Sequence, residues 1–156
     1  MTVQEAAQLA LKFIDNYNEP RRGAADDYKW GIGTMIEFTD CYYFEMTFLH
    51  LDGRLYTEPH VASSLSGFTI SKNDGVAKVI TCVDLHILES EEKRMDDLYA
   101  LLTGIRENKT GIDIIKSRYQ LNSRELLLFT KELQHTDFDR LTVTDKLQEL
   151  INRIKK

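Results

Sequence analysis

Apolar residues at Ala6, Leu9, Ala10, Phe13, Ile14 and Tyr17 recur at steps of three and four, the spacing that gathers side chains onto one stripe of an α-helix. Thr2-Val3-Gln4-Glu5 precedes them in the T-x-x-E form of a capping box, whose hydroxyl and carboxylate satisfy free amides of the first turn. A helix is therefore predicted from residue 3 to about Asn18, closed by Pro20 and Gly23. From Trp30 to about Cys82 the period changes to two, with β-branched and aromatic enrichment and turn residues between the runs, which predicts a sheet. Alternation places Ile32, Ile36 and Phe38 on one face of the first strand and Tyr42, Phe44, Met46 and Phe48 on one face of the second, leaving Glu37, Tyr43 and Glu45 outward.

Strict alternation also bears on the connections. A two-residue turn pairing Phe38 with Cys41 would put Phe38 opposite the wrong face, so an odd loop of Thr39, Asp40 and Cys41, or a bulge there, is expected. Asp52-Gly53 and Asp74-Gly75 are hairpin turns; a two-residue turn at the second pairs Ile70 with Val79 and Phe68 with Thr81. After the segment Asp84 to Leu88 the chain reads as helical to its end. Ser90 caps a helix that buries Met95, Leu98, Leu101, Leu102 and Ile105. Further helices run around Ile112 to Tyr119, around Ser123 to Leu133 behind the capping signal Asn122-Ser123-Arg124-Glu125, and after Thr142 or Thr144, where Leu147, Leu150, Ile151 and Ile154 form the buried stripe. The fold class is α+β: an N-terminal helix packed on an antiparallel sheet of about four strands over residues 1–88, followed by a helical region over 89–156.

Charge changes this picture in one place. The chain carries a net charge of −5, and all of it falls between Asp26 and Glu58, where seven acidic residues (Asp26, Asp27, Glu37, Asp40, Glu45, Asp52 and Glu58) face two basic ones, Lys29 and Arg54. The balanced remainder argues against a nucleic-acid binder, and the acidic region suits a basic protein partner. No apolar run reaches the length of a membrane span, and the N-terminus lacks the pattern of a secretory signal. The expected location is the cytoplasm, with Cys41 and Cys82 as reduced thiols rather than a disulfide framework.

Candidate chemistry is sparse. A thiol nucleophile needs a base in reach, and Cys41, Cys82, His50, His60, His86 and His135 are scattered without a motif. Asp84 and His86 could project from one strand face with His60 as a third metal ligand, but the spacing is common, and a surface histidine beside a carboxylate is the preferred alternative. Glu89, Glu91 and Glu92 suit the start of a helix through its dipole. Trp30-Gly31-Ile32-Gly33 lacks the third glycine of a dinucleotide fingerprint and leads into a strand. The segment from Gly111 to Glu125 has the outline of a DNA-reading helix-turn-helix, yet Leu126-Leu127-Leu128-Phe129 is too apolar for a groove. No catalytic, cofactor or metal site is expected.

Three features together resemble a known family: Glu5-Ala6-Ala7 in the first helix, the strand opening at Trp30-Gly31, and Gly67-Phe68-Thr69-Ile70-Ser71-Lys72-Asn73-Asp74-Gly75 followed by Val76 and Val79. They are similar to the YrhB-like immunity proteins of bacterial polymorphic-toxin systems (immunity protein 35 type), over residues 1–88. The resemblance implies a cystatin-like arrangement of one helix on an antiparallel meander, and protection of the producing cell by binding and occluding a cognate toxin. No catalytic residue carries over. The expected partner-binding residues, taken from charge and parity, are Glu37, Asp40, Tyr43, Glu45, Asp52 and Glu58, with Tyr43 as the aromatic anchor. The alternative is a non-catalytic regulatory or adaptor protein that associates through its C-terminal helices, as a homodimer along Leu147, Leu150, Ile151 and Ile154.

Overall fold

A computed structural model describes residues 1–19, 28–55 and 65–156. The expected helix stop at Pro20 and Gly23, and the residues Asp26, Asp27, Glu58 and His60, lie outside the described residues. Two compact units divide the chain, Met1–Glu89 and Ser90–Lys156. The boundary falls inside one continuous helix, and each unit is an α or α+β assembly with a core of its own.

In the N-terminal unit, α1 (Val3–Asn18) starts at the Thr2 capping box: Glu5 N–H donates to Thr2 Oγ1 at 3.3 Å, and Thr2 N–H donates to Glu5 Oε2 at 2.7 Å. It crosses one face of an antiparallel meander of four strands, β1 (Tyr28–Glu37), β2 (Cys41–His50), β3 (Leu65–Ser71) and β4 (Ala77–Thr81), ordered β1-β2-β3-β4. Ala6 and Ala10, both fully buried, let the helix approach closely, and Ile14 joins Trp30, Tyr42, Phe44, Met46, Phe68 and Ile70 beneath it. At the far end of α1 the Asn18 amide donates to Trp30 O and accepts from Trp30 N–H, both at 2.9 Å. That pair ties the helix to the start of the edge strand.

The face assignment of β1 is corrected at its middle. Between the pairs Ile32↔Met46 and Met35↔Phe44, β1 advances three residues while β2 advances two. This is a bulge at Gly33 and Thr34, and it reverses the alternation for everything beyond it. Ile32 therefore packs under α1, whereas Ile36 lies opposite Tyr43, and Phe38 shares a cluster with Tyr43 and Ile80 on the other face. With the parity reversed there, the rejected pairing is the observed one: Phe38 N–H donates to Cys41 O at 2.9 Å across a two-residue turn of Thr39 and Asp40.

The second hairpin is corrected in register but not in face. Phe68 pairs with Val79 and Ile70 with Ala77, a slip of two residues that leaves every side chain on its expected side. The reason is local. The primed two-residue turns need positive φ at the first central residue, here Asp74, and type I′ at both, but only Gly75 (φ +71°) adopts it, so Ser71 N–H closes instead on Val76 O around four residues. At the first hairpin Gly53 (φ +89°) makes the tight turn, with its N–H donating to His50 O.

α2 (Cys82–Asn108) begins nine residues earlier than a helix capped by Ser90 would, with Ser90 inside it. Its start is a capping box of Thr81 and Asp84: Asp84 N–H donates to Thr81 Oγ1 at 3.2 Å and Thr81 N–H to Asp84 Oδ2 at 2.9 Å. Leu85 and Leu88, three residues apart, pack on Phe38, Tyr43 and Ile80, while Val83 and Ile87 face outward. Glu89, Glu91 and Glu92 are consequently mid-helix, and the dipole account of them fails.

The C-terminal unit continues from α2 with α3 (Ile112–Tyr119), α4 (Ser123–Leu133) and α5 (Val143–Ile154). Asn122 caps α4 through Arg124 N–H and Glu125 N–H, each at 2.9 Å. Asp139 and Thr142 exchange the same reciprocal pair ahead of α5. Leu102, Ile105, Ile115, Phe129, Leu133 and Leu147 are almost fully buried in one cluster. The stripe Leu147, Leu150 and Ile151, with Ile154 packed beside it, belongs to this core, so it is not a free dimer surface. Arg140 reaches two carboxylates of α2, donating to Glu92 and, at 2.5 Å, to Asp96; both carboxylates hold the guanidinium firmly protonated.

Candidate functional site

The N-terminal unit holds thirteen acidic residues against seven basic ones, a net charge of −6, while the C-terminal unit holds twelve against thirteen, a net charge of +1. The excess is thus confined to the sheet-bearing unit, but the five described residues of those expected to bind a partner do not form one patch. Glu37, beyond the bulge, pairs with Tyr42 on the α1 side and accepts a salt bridge from Lys72 Nζ at 2.8 Å; Lys72 also sits 4.7 Å above the Tyr42 ring. Asp40 is exposed in the adjoining turn. Glu45 lies on the opposite face, where its carboxylate accepts from Thr34 N–H at 3.1 Å and from the Thr34 hydroxyl. Asp52, at the far end of ten-residue β2, accepts from Arg54 Nε at 2.7 Å. At 3.3 Å per residue the two ends of β2 lie roughly 30 Å apart.

Tyr43 departs furthest from expectation. Its parity is as expected, facing away from α1, but it is only 3 % exposed because the first turns of α2 cover it. The hydroxyl donates to Ser66 O at 2.8 Å and lies 2.6 Å from Ser66 Oγ, and burial pushes its pKa up. The ring passes over Gly67, where a Cβ would meet Tyr43 Cε2 at 2.8 Å and run into the Phe44 carbonyl oxygen. Tyr43 is a core residue and cannot act as an exposed anchor.

What the fold does expose is the second half of β1. Gly33 to Glu37 are five consecutive exposed residues on an edge strand, among them Met35 at 40 % and Ile36 at 38 % exposure. Ile36 lies across from Tyr43, so Glu45, two residues along β2 on the same face, is its diagonal neighbour. Glu37 shares the other face with Met35. Upstream the same edge is closed by Asn18 on Trp30. Downstream of the bulge Met35 shares the α1 face with Glu37, and Ile36 shares the other face with Glu45; both carboxylates are held below the usual carboxylate range, Glu37 by Lys72 and Glu45 by the Thr34 hydroxyl and N–H. A signal for this region existed in the sequence, since a glycine inside a strand pattern marks a bulge or a close backbone approach.

The other chemical candidates do not assemble. Asp84 and His86 lie in a helix, not a strand, and residues two apart on a helix do not share a face. Asp84 is occupied by the Thr81 N–H, which lowers its pKa. Among the described residues no three His, Cys, Asp or Glu side chains are grouped to hold a metal ion, and no helix is long and apolar enough to cross a membrane. Cys41 packs against the Tyr43 cluster, and Cys82 is the exposed first residue of α2.

Seven carboxylates, Glu5, Glu37, Glu45, Asp52, Asp74, Asp84 and Asp139, share a downward shift, each from hydrogen bonds that favour the charged form. A group whose folded pKa lies below its unfolded value contributes stability that is present above the unfolded value and lost as pH falls through the folded one. Melting temperature should accordingly hold level down to about pH 5 and drop below about pH 4. Circular dichroism melts between neutral and acid pH check this; a melting temperature that climbs on acidification below about pH 5 would contradict it. No family model, curated protein or solved structure matches the chain.

Proposed function

We propose that the chain is a non-catalytic, cytoplasmic immunity protein that neutralises a cognate bacterial toxin by binding and occluding it, and that the contact surface is the exposed half of β1. The observation that carries this reading is the run from Gly33 to Glu37: an exposed edge strand that presents Met35 on one face and Ile36 on the other, each with a carboxylate beside it, in a unit of net charge −6. An apolar centre with a charged rim is how protein interfaces are built. Edge strands also offer main-chain groups to a partner strand. The carboxylates would speed encounter with a basic cleft, while Met35 and Ile36 supply the desolvated anchor. The resemblance of residues 1–88 to the YrhB-like immunity proteins points the same way.

The test is growth protection. A bacterial host expressing the toxin domain encoded beside the chain's gene should survive when the chain is co-expressed. Met35→Asp and Ile36→Asp should each weaken the complex roughly tenfold or more, about 1.4 kcal/mol, without lowering the melting temperature, because both side chains are solvent-facing. Leu141→Asp, at a 61 % exposed position in the C-terminal unit, should leave protection intact. Full protection by both β1 variants would move the contact away from this edge.

A further inference from the structure

The C-terminal unit carries a second surface of opposite character. Between α2 and α3 lies an open groove of about 500 Å³, within the size range of sites that take a ligand or a side-chain anchor. Its floor is apolar: Leu101 of α2, and Ile114 of α3, which is 54 % exposed although its neighbour Ile115 is completely buried. Its rim carries Lys93 and Arg94 from α2 and Arg118 from α3, one turn beyond Ile114, against the single carboxylate of Asp97. Spacings of four on α3 (Ile114, Arg118) and seven on α2 (Arg94, Leu101) keep these side chains on the facing surfaces of the two helices.

The rim cations are not engaged elsewhere. Among the described residues the side chains of Lys93, Arg94 and Arg118 form no ion pair or hydrogen bond, and the nearby α2 carboxylates Glu92 and Asp96 are taken by Arg140. Three unpaired cations around an exposed isoleucine leave both charge and apolar area unmatched.

We infer that this groove docks an acidic segment of a partner protein that bears an apolar anchor residue. The anchor rests on Leu101 and Ile114 while carboxylates meet Lys93, Arg94 and Arg118. Charge complementarity selects an acidic occupant. The apolar floor selects a protein segment over nucleic acid, whose phosphates would engage the cations and leave Ile114 uncovered. This surface is independent of the β1 edge, which suits a basic partner, so the chain would carry two sites of opposite electrostatic preference.

The experiment uses the intact chain and a fluorescein-labelled short peptide of aspartate and glutamate around a central Leu-Trp pair, followed by fluorescence anisotropy. Saturable binding is expected, weakened roughly tenfold or more by the double substitution R94E/R118E and by Ile114→Asp. In the unsubstituted chain, peptide should shift the methyl resonances of Leu101 and Ile114, a readout that does not depend on how any variant folds. Absence of saturable binding would overturn the inference. So would equal affinity for a peptide lacking the Leu-Trp pair, or tighter binding of a single-stranded oligonucleotide that displaces the peptide.

Discussion

Replacing Phe68 by alanine is expected to lower the stability of the N-terminal unit by about 3–5 kcal/mol. Phe68 is completely buried in the middle of β3, across from Phe44 on one side and Val79 on the other. Its ring centroid lies 4.5 Å from that of Phe13 on α1 and 5.5 Å from that of Phe44. It is therefore the point where helix and sheet are held together, and truncation removes both the transferred apolar area and the contacts that line the resulting cavity. A loss of that size is a large fraction of the 5–15 kcal/mol typical of a small domain. Chemical denaturation followed by the fluorescence of Trp30, the chain's single tryptophan and a member of the same cluster, measures it directly. A change below about 1 kcal/mol would show that α1 is not packed on β3 as described.

Tyr43→Ala should cost about 3–4 kcal/mol as well, by the large-to-small rule for a buried ring. Here the size of the result separates two pictures of the molecule. An exposed interface aromatic can be truncated with little effect on folding, whereas a ring beneath Leu85 and Leu88 cannot. Tyr43→Phe keeps the ring and removes only the hydroxyl bonded to Ser66, so a smaller loss of about 0.5–1.5 kcal/mol is expected. Thermal and denaturant melts of the two variants, read together, decide the matter. Wild-type stability in Tyr43→Ala would return Tyr43 to the surface.

Elements fixed by local chemistry could be read from the sequence with little error. The capping boxes at Thr2 and Asn122 and the extents Ile112–Tyr119 and Ser123–Leu133 depend on residues within one turn of each other. Where the outcome turned on alternation over many residues, one inserted residue changed it. The bulge at Gly33 and Thr34 moved Ile36 and Phe38 off the face of Ile32 and put Glu37 and Glu45 on opposite sides. Thr81-Cys82-Val83-Asp84 carried the capping signal for α2, but it follows directly on a strand and was hidden by the strand-like run before it. The consequence was large: the early start of α2 is what buries Tyr43. The location of the negative charge was legible from composition. Its division between the two faces and both ends of β2 was not, because that depends on register.

The surface assigned to the partner can be tested most directly by hydrogen–deuterium exchange on the intact chain, alone and mixed with the toxin domain encoded beside its gene. Binding should slow amide exchange in the stretch from Gly33 to Glu37 and in the adjoining part of β2 around Glu45, with the remaining strands little changed. Protection confined to α3, α4 and α5, with the β1 edge exchanging as fast as in the free chain, would contradict it.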